Sequence, residues 1–294
     1  MIFVWAPVVL ALLVLAGSAL WFAGHRRWQR ATAELESGLA DAEAALAPQA
    51  ARAPSRVDLR ELHGLPPPVQ RYLRRVLRDG APRVAGATVE HEGRFNLAAS
   101  GERWVRFTSR QRITVTPPGF VWSARMAMLP GLSVHVHDAY LAGEGRLHAA
   151  LFGLAGLFDL AALRDREHTA RGELMRWLAE AAWTPTSLLP RPGLRWEALD
   201  DERARVTLTD QGLEATLTFR FGADGLIDRV SADQRGRSVD GRIVPTPWEG
   251  RWSDWREQDG MTVPFVGEVA WLLPEGRQPY WRGTIVSLRY RFAA

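Results

Sequence analysis

Residues 213–221 read Leu-Glu-Ala-Thr-Leu-Thr-Phe-Arg-Phe, and this stretch decides the fold. Leu213, Ala215, Leu217, Phe219 and Phe221 alternate with Glu214, Thr216, Thr218 and Arg220. Successive side chains on an extended chain point to opposite faces, so a period of two means one buried face and one wet face. Asp210-Gln211-Gly212 precedes the stretch and Ala223-Asp224-Gly225 follows it. Asp and Gly in such clusters favour tight turns. The segment predicts one strand of an antiparallel meander.

The same period recurs in both directions. Towards the C-terminus, Thr284, Val286, Leu288, Tyr290 and Phe292 share a face. Towards the N-terminus, Ala87, Val89, His91, Gly93, Phe95 and Leu97 alternate with polar residues. So do Val105, Phe107, Ser109, Gln111, Ile113 and Val115. After Pro117-Pro118-Gly119, residues Phe120, Trp122, Ala124, Met126 and Met128 line one side. About ten to twelve such strands make a mainly β (α+β) chain with a large antiparallel curved sheet or half-barrel.

One helix precedes the strands and a second interrupts them. Val69, Tyr72, Leu73, Val76 and Leu77 form one helical stripe after Leu65-Pro66-Pro67-Pro68, and Gly80 and Pro82 stop it. Arg71, Arg74, Arg75 and Arg78 lie off that stripe, as a solvated face or a face towards anionic lipid. Residues 172–183 put Leu174, Trp177, Leu178 and Ala181 on one side, and Thr184-Pro185 ends them.

At the N-terminus, Ile2–Ala23 carry no charge. At ~1.5 Å per residue that run crosses the ~30 Å hydrocarbon core. Trp5 and Trp21 sit near its ends, where indoles favour the interface. The competing reading is a cleaved signal peptide at Ala16-Gly17-Ser18-Ala19, but no Arg precedes the apolar run. Arg26, Arg27 and Arg30 follow it, which points the body to the cytoplasmic side. Pro48–Ser55 reads as a linker. The expected layout is an anchor over 1–24, a stalk and linker over 25–57, and a single β-rich domain over 58–294. Its helices are expected near 68–79 and 172–183.

Charge and composition exclude several classes. Without Cys there is no disulfide, thiol nucleophile or thiolate metal site. The chain has a net charge of +4, and all 37 basic residues are Arg. Residues 25–83 hold 11 Arg against 7 acids, while 84–294 hold 26 of each. The body therefore carries no net basic footprint of the kind nucleic-acid binding needs, and no nucleic-acid partner is expected. No Walker loop, Gly-x-Gly-x-x-Gly or His-Glu-x-x-His is present, so no cofactor or resident metal is expected.

The candidate chemistry is sparse. His135 and His137 share a strand face near Asp138 and His148, a pattern that can bind metal but is more simply a solvated pair. Asp138 and Tyr140 can orient a substrate or satisfy a turn. Arg176 and Glu180 are i, i+4 on the internal helix, either an exposed ion pair or a buried polar centre. Asp200-Asp201 reads as the start of a turn. The 13 Trp are the most unusual feature. They suit an aromatic core or the wall of an apolar groove.

Several stretches together resemble an uncharacterised bacterial family whose members often carry N-terminal membrane segments. They are residues 65–73 (LPPPVQRYL), 176–180 (RWLAE), 183–190 (WTPTSLLP), 196–201 (WEALDD) and 247–250 (PWEG). The resemblance covers roughly residues 60–292 and implies no established activity. The layout is also similar to the half-barrel lipoprotein carriers of the bacterial envelope, which work outside the cytoplasmic membrane.

The residues thus point first to a membrane-tethered module that binds a lipid or other apolar ligand. Its expected site comprises Trp122, Asp138, Tyr140, Arg176, Glu180, Trp183, Trp248 and Trp252. A hydrolase using Asp138, His137 and Glu180, and a structural or partner-binding envelope protein, are the alternatives.

Overall fold

The computed structural model describes residues 5–98, 101–129, 132–151, 153, 155–159, 166–239 and 242–294. Its centre is one antiparallel sheet. The strands are β1 (Val84–Asn96), β2 (Trp104–Thr114), β3 (Gly119–Leu129), β4 (Leu132–Leu141), β5 (Glu144–Leu151) and β6 (Ala155–Asp159). They continue as β7 (Leu194–Ala198), β8 (Arg203–Asp210), β9 (Leu213–Phe221), β10 (Ile227–Val239), β11 (Arg242–Gln258), β12 (Met261–Leu273) and β13 (Gly276–Phe292). The quoted stretch is β9, and the turn chemistry on either side of it is as read. Asp200 accepts from the backbone N–H groups of Glu202 (3.0 Å) and Arg203 (2.7 Å), which makes the turn between β7 and β8.

The order across the sheet is β6-β5-β4-β3-β2-β1-β13-β12-β11-β10-β9-β8-β7. Two simple meanders, β1–β6 and β7–β13, are thus zipped together at β1 and β13. The thirteen described strands exceed the expected ten to twelve. Neighbours in each meander are neighbours in sequence, so short turns suffice. The β1–β13 pairing alone closes a loop of the whole body.

Among the described residues the α-helices that accompany the sheet are α1 (Trp5–Ala45), α2 (Ala47–Ala50), α3 (Pro67–Val76) and α4 (Arg166–Ala179). α3 starts on two prolines, where a missing N–H costs nothing. It buries Val69, Tyr72, Leu73 and Val76, packing against β8 and β12. α4 begins six residues before the expected start, because its first turns are polar and carry no apolar stripe. It is followed by a turn of 3-10 helix, Glu180–Trp183. α4 packs against β5 on one arm of the sheet and β9 on the other. Gly145 on β5 permits this, since a Cβ there would lie 2.7 Å from the Ala170 backbone. A curved sheet with α3 and α4 inside its hollow is the half-barrel with packed helices that the periodicity predicts.

α1 runs without a break from the apolar run into the expected stalk. Residues 8–22 leave Val8, Leu10, Leu12, Leu15 and Leu20 exposed. This helix is long and apolar enough to cross a membrane. The Trp5 side chain lies outside the described residues. The second half of α1 does not stand clear of the body. Leu39 is buried against Val121, Ala139 and Leu141 on the back of the sheet. A Cβ at Gly119 would lie 2.6 Å from Leu39, so this glycine sets how closely α1 lies on β3.

Candidate functional site

The front of the sheet and α4 enclose a cavity of about 580 Å³. Its floor is made where the two meanders join. Gly93, Gly283 and Gly267 lie side by side on β1, β13 and β12, with Phe107 and Trp252 next in the same row. The Trp281 ring lies over Gly283, and a Cβ at Gly267 would sit 2.5 Å from the Trp252 ring. Three glycines in a row thus let two indoles lie down across the sheet. Larger side chains here would push them up into the hollow.

Trp122, Trp183, Trp248 and Trp252 all line this cavity, with Met126, Val134 and Val136 among the neighbouring apolar groups. Each of the four indoles is at most 5% exposed. Trp183 meets Trp252 edge to face at 5.4 Å between centroids. The indole N–H groups of Trp122, Trp183 and Trp252 have no hydrogen-bond partner among the described residues. The tertiary structure thus draws four tryptophans from three elements, β3, β11 and the 3-10 turn after α4, into one wall.

Asp138, Arg176 and Glu180 also reach the cavity, as a buried polar centre and not an exposed helix pair. Arg176 Nε donates to Glu180 Oε1 at 2.7 Å, and its Nη1 donates to Asp138 Oδ2. Gln111 Nε2 donates to the second oxygen of Glu180 at 2.6 Å. The guanidinium plane lies 4.8 Å over Phe120 and 5.1 Å over Trp122. Burial alone would depress the Arg176 pKa, but the carboxylates of Glu180, Asp138 and Glu173 more than offset it and hold it raised. Glu173, one turn earlier, is pushed well above the usual carboxylate range by burial and by Asp138 beside it.

Tyr140 does not line the cavity. It is fully buried, and its hydroxyl donates to Asp210 Oδ2 at 2.7 Å, tying β4 to β8.

The two histidines of β4 face the other way. Val134, Val136 and Asp138 point into the hollow, while His135 and His137 point to the back. The expected solvated pair is corrected here, because α1 covers it and His137 is 3% exposed. His137 Nε2 and Thr32 Oγ1 are 2.7 Å apart, and the Trp28 ring is stacked on the imidazole. Trp28 Nε1 also donates to Ser123 Oγ at 3.3 Å. This corrects the hydrolase constellation of Asp138, His137 and Glu180: the sheet separates His137 from both carboxylates. Asp138 and Glu180 are in turn both engaged by Arg176. Among the described residues, no group of three or more His, Asp or Glu is placed to hold a metal.

Arg235 and Tyr280 are among the lining residues that escaped the sequence reading, and both sit at β-bulges. On β10 the register shifts between Ala232 and Arg235, where two residues oppose one of β11. The extra residue inverts the alternation, so Arg235 and Arg237 face the cavity. On β13 the register shifts opposite Val269 and Ala270, and Tyr280 and Trp281 both face it. Arg235 then lies 5.0 Å over the Trp248 ring, and Trp248 Nε1 donates to the Tyr280 hydroxyl at 2.9 Å. A strict period of two would have placed Arg235, or one of the Tyr280–Trp281 pair, on the back of the sheet.

Comparison with known proteins assigns a family. The chain belongs to a family of unknown function (DUF6920), which it matches over residues 63–290. No curated protein matches it. Among solved structures it is similar to a LolA superfamily protein from Nitrosomonas europaea, at 12% identity and a TM-score of 0.35. That likeness covers 76% of this chain and 92% of the other. It is also similar to a β-barrel-like protein of a domain of unknown function (DUF1849) from Brucella abortus, at 12% identity and a TM-score of 0.22. There the coverage is 71% of this chain and 99% of the other.

Proposed function

We propose that this protein is a membrane-tethered module that holds a lipid or other apolar molecule in its half-barrel. The observation that carries this reading is the cavity of about 580 Å³ walled by Trp122, Trp183, Trp248 and Trp252. Small-molecule sites fall in the range of roughly 300–1,000 Å³, mostly apolar with a few placed polar groups. An interior this large and this aromatic costs stability unless something fills it.

The anchor is residues 1–24, supported by the exposed apolar run on α1. Residues 25–57 connect it to the single ligand-holding domain of 58–294. Trp28, Thr32 and Leu39 of that connection clasp the back of the sheet, so the cavity is held at a fixed place relative to the bilayer.

The test is to purify the full chain, extract it with organic solvent and identify what it carried by mass spectrometry. Wild-type protein is expected to carry an apolar molecule. Ala149→Trp, which fills the cavity from β5, is expected to carry none. A folded wild-type protein with nothing to extract overturns the proposal.

A further inference from the structure

The obvious cation for a ligand head is Arg176, and the geometry removes it. Its donors are directed to Glu180, Asp138 and Gln111, so its charge is met within the protein. Arg235 is different. Among the described residues it has no ion pair and no hydrogen bond; its one close partner is the Trp248 ring. An aromatic face holds a guanidinium in place while leaving its N–H donors free for an acceptor.

Tyr280 adds a second donor at the same place. Its oxygen accepts from Trp248 Nε1, and its own proton has no acceptor among the described residues. Glu173 is the carboxyl that feels Arg235, and burial and the neighbouring Asp138 push its pKa well above the usual carboxylate range. No carboxylate among the described residues forms an ion pair with Arg235, whose guanidinium rests on the Trp248 ring. Arg237 follows on the same face of β10, so a second guanidinium lines the cavity beside the first. Both Arg235 and Tyr280 reach this side through a β-bulge, a device that re-aims a side chain at the cost of ladder pairing.

We propose that the cavity takes an amphiphile with an anionic head. Its carboxylate or phosphate oxygens accept from the Arg235 guanidinium and the Tyr280 hydroxyl beside Trp248, and its tail lies along the indole wall. This rests on the reading of the half-barrel as an apolar-ligand site and adds the chemistry of the head. A charge-assisted hydrogen bond of this kind gives a preference of about tenfold or more over an uncharged head.

The test uses the full chain in phosphatidylcholine nanodiscs and three photoactivatable probes with the same diazirine-bearing hexadecyl chain. One ends in a carboxylate, one in a phosphate and one in an alcohol. Labelled peptides are mapped by mass spectrometry. The anionic probes are expected to label the cavity wall at least about tenfold more than the alcohol. Whichever anionic probe labels more identifies the head as carboxylate or phosphate. Arg235→Gln is expected to abolish the preference, Arg235→Lys to retain much of it, and Tyr280→Phe to reduce it. Arg235 makes no ion pair among the described residues that its replacement would break, and circular dichroism checks that the variants are folded. Equal cavity labelling by acid and alcohol, or an unchanged preference in Arg235→Gln, overturns the anionic head and leaves the apolar site standing. Absence of cavity labelling by every probe overturns both.

Discussion

The Trp28 indole is stacked on the His137 imidazole, with ring centroids 3.7 Å apart and planes 12° from parallel. One ring belongs to the helix that leaves the apolar segment, the other to the back of β4. The contact joins that helix to the strand whose opposite face supplies Asp138 to the cavity.

This contact is expected to weaken in acid. Burial, and then His148 and His135 nearby, lower the His137 pKa from 6.5 to about 4. The folded state therefore prefers the neutral ring. Its contribution is complete above about pH 6.5 and is lost progressively as pH falls towards about 4, by up to ~3 kcal/mol. His135 shifts in the same direction for the same reason. Hydrogen exchange over residues 28–39 is expected to accelerate across that window, and His137→Gln to flatten much of the response. Protection that stays constant from pH 7 to about 4 would refute the coupling.

Arg176→Met is expected to destabilise the protein by about 3–5 kcal/mol, because it leaves Asp138 and Glu180 buried without their counter-charge. Adding Asp138→Asn and Glu180→Gln to that variant is expected to restore part of the loss. Urea unfolding midpoints decide the matter. A loss below about 1 kcal/mol would mean that the polar centre is not holding α4 to the sheet.

Two glycines offer opposite outcomes for the same added methyl group. Gly267→Ala forces the new Cβ against the Trp252 ring and is expected to cost ~1–3 kcal/mol while reducing ligand uptake. Gly172 lies inside α4 with nothing within 4 Å of where a Cβ would be. Gly172→Ala is expected to stabilise by ~0.5–1 kcal/mol. Thermal unfolding of the two variants tests both signs, and equal shifts would remove the special role given to the glycine floor.

Tyr140→Phe separates a structural tether from a ligand contact. It removes the 2.7 Å bond to Asp210, and a half-buried carboxylate without its donor costs about 1–3 kcal/mol. Ligand retention by the folded variant is expected to match wild type, since Tyr140 is outside the cavity lining. A selective loss of ligand with unchanged stability would return Tyr140 to the binding site.

What the chain shows of itself along its length is what local chemistry can encode. Alternation over Leu213–Phe221 needs only one buried face, so β9 and its turns are readable without any partner. The stripe of Val69, Tyr72, Leu73 and Val76 likewise announces α3. The apolar run before Arg26 announces a segment suited to a bilayer. Periodicity also separates the faces of β4, with Val134 and Val136 opposite His135 and His137. It does not say what covers each face.

Only the tertiary structure decides that. α1 covers the histidines on the back of the sheet, and α4 carries Glu180 to Asp138 on the front, so the three do not meet although they read as one constellation along the chain. Pairing of β1 with β13 brings Gly93, Gly283 and Gly267 into one row, a contact between residues far apart in sequence. The bulges at Arg235 and Tyr280 each insert one residue and invert the alternation downstream. A bulge is set by the register of the neighbouring strand, so no periodicity within β10 or β13 reveals it. For that reason the tryptophan wall is visible in the sequence as a collection of residues, while the cation that faces it appears only once the strands are paired.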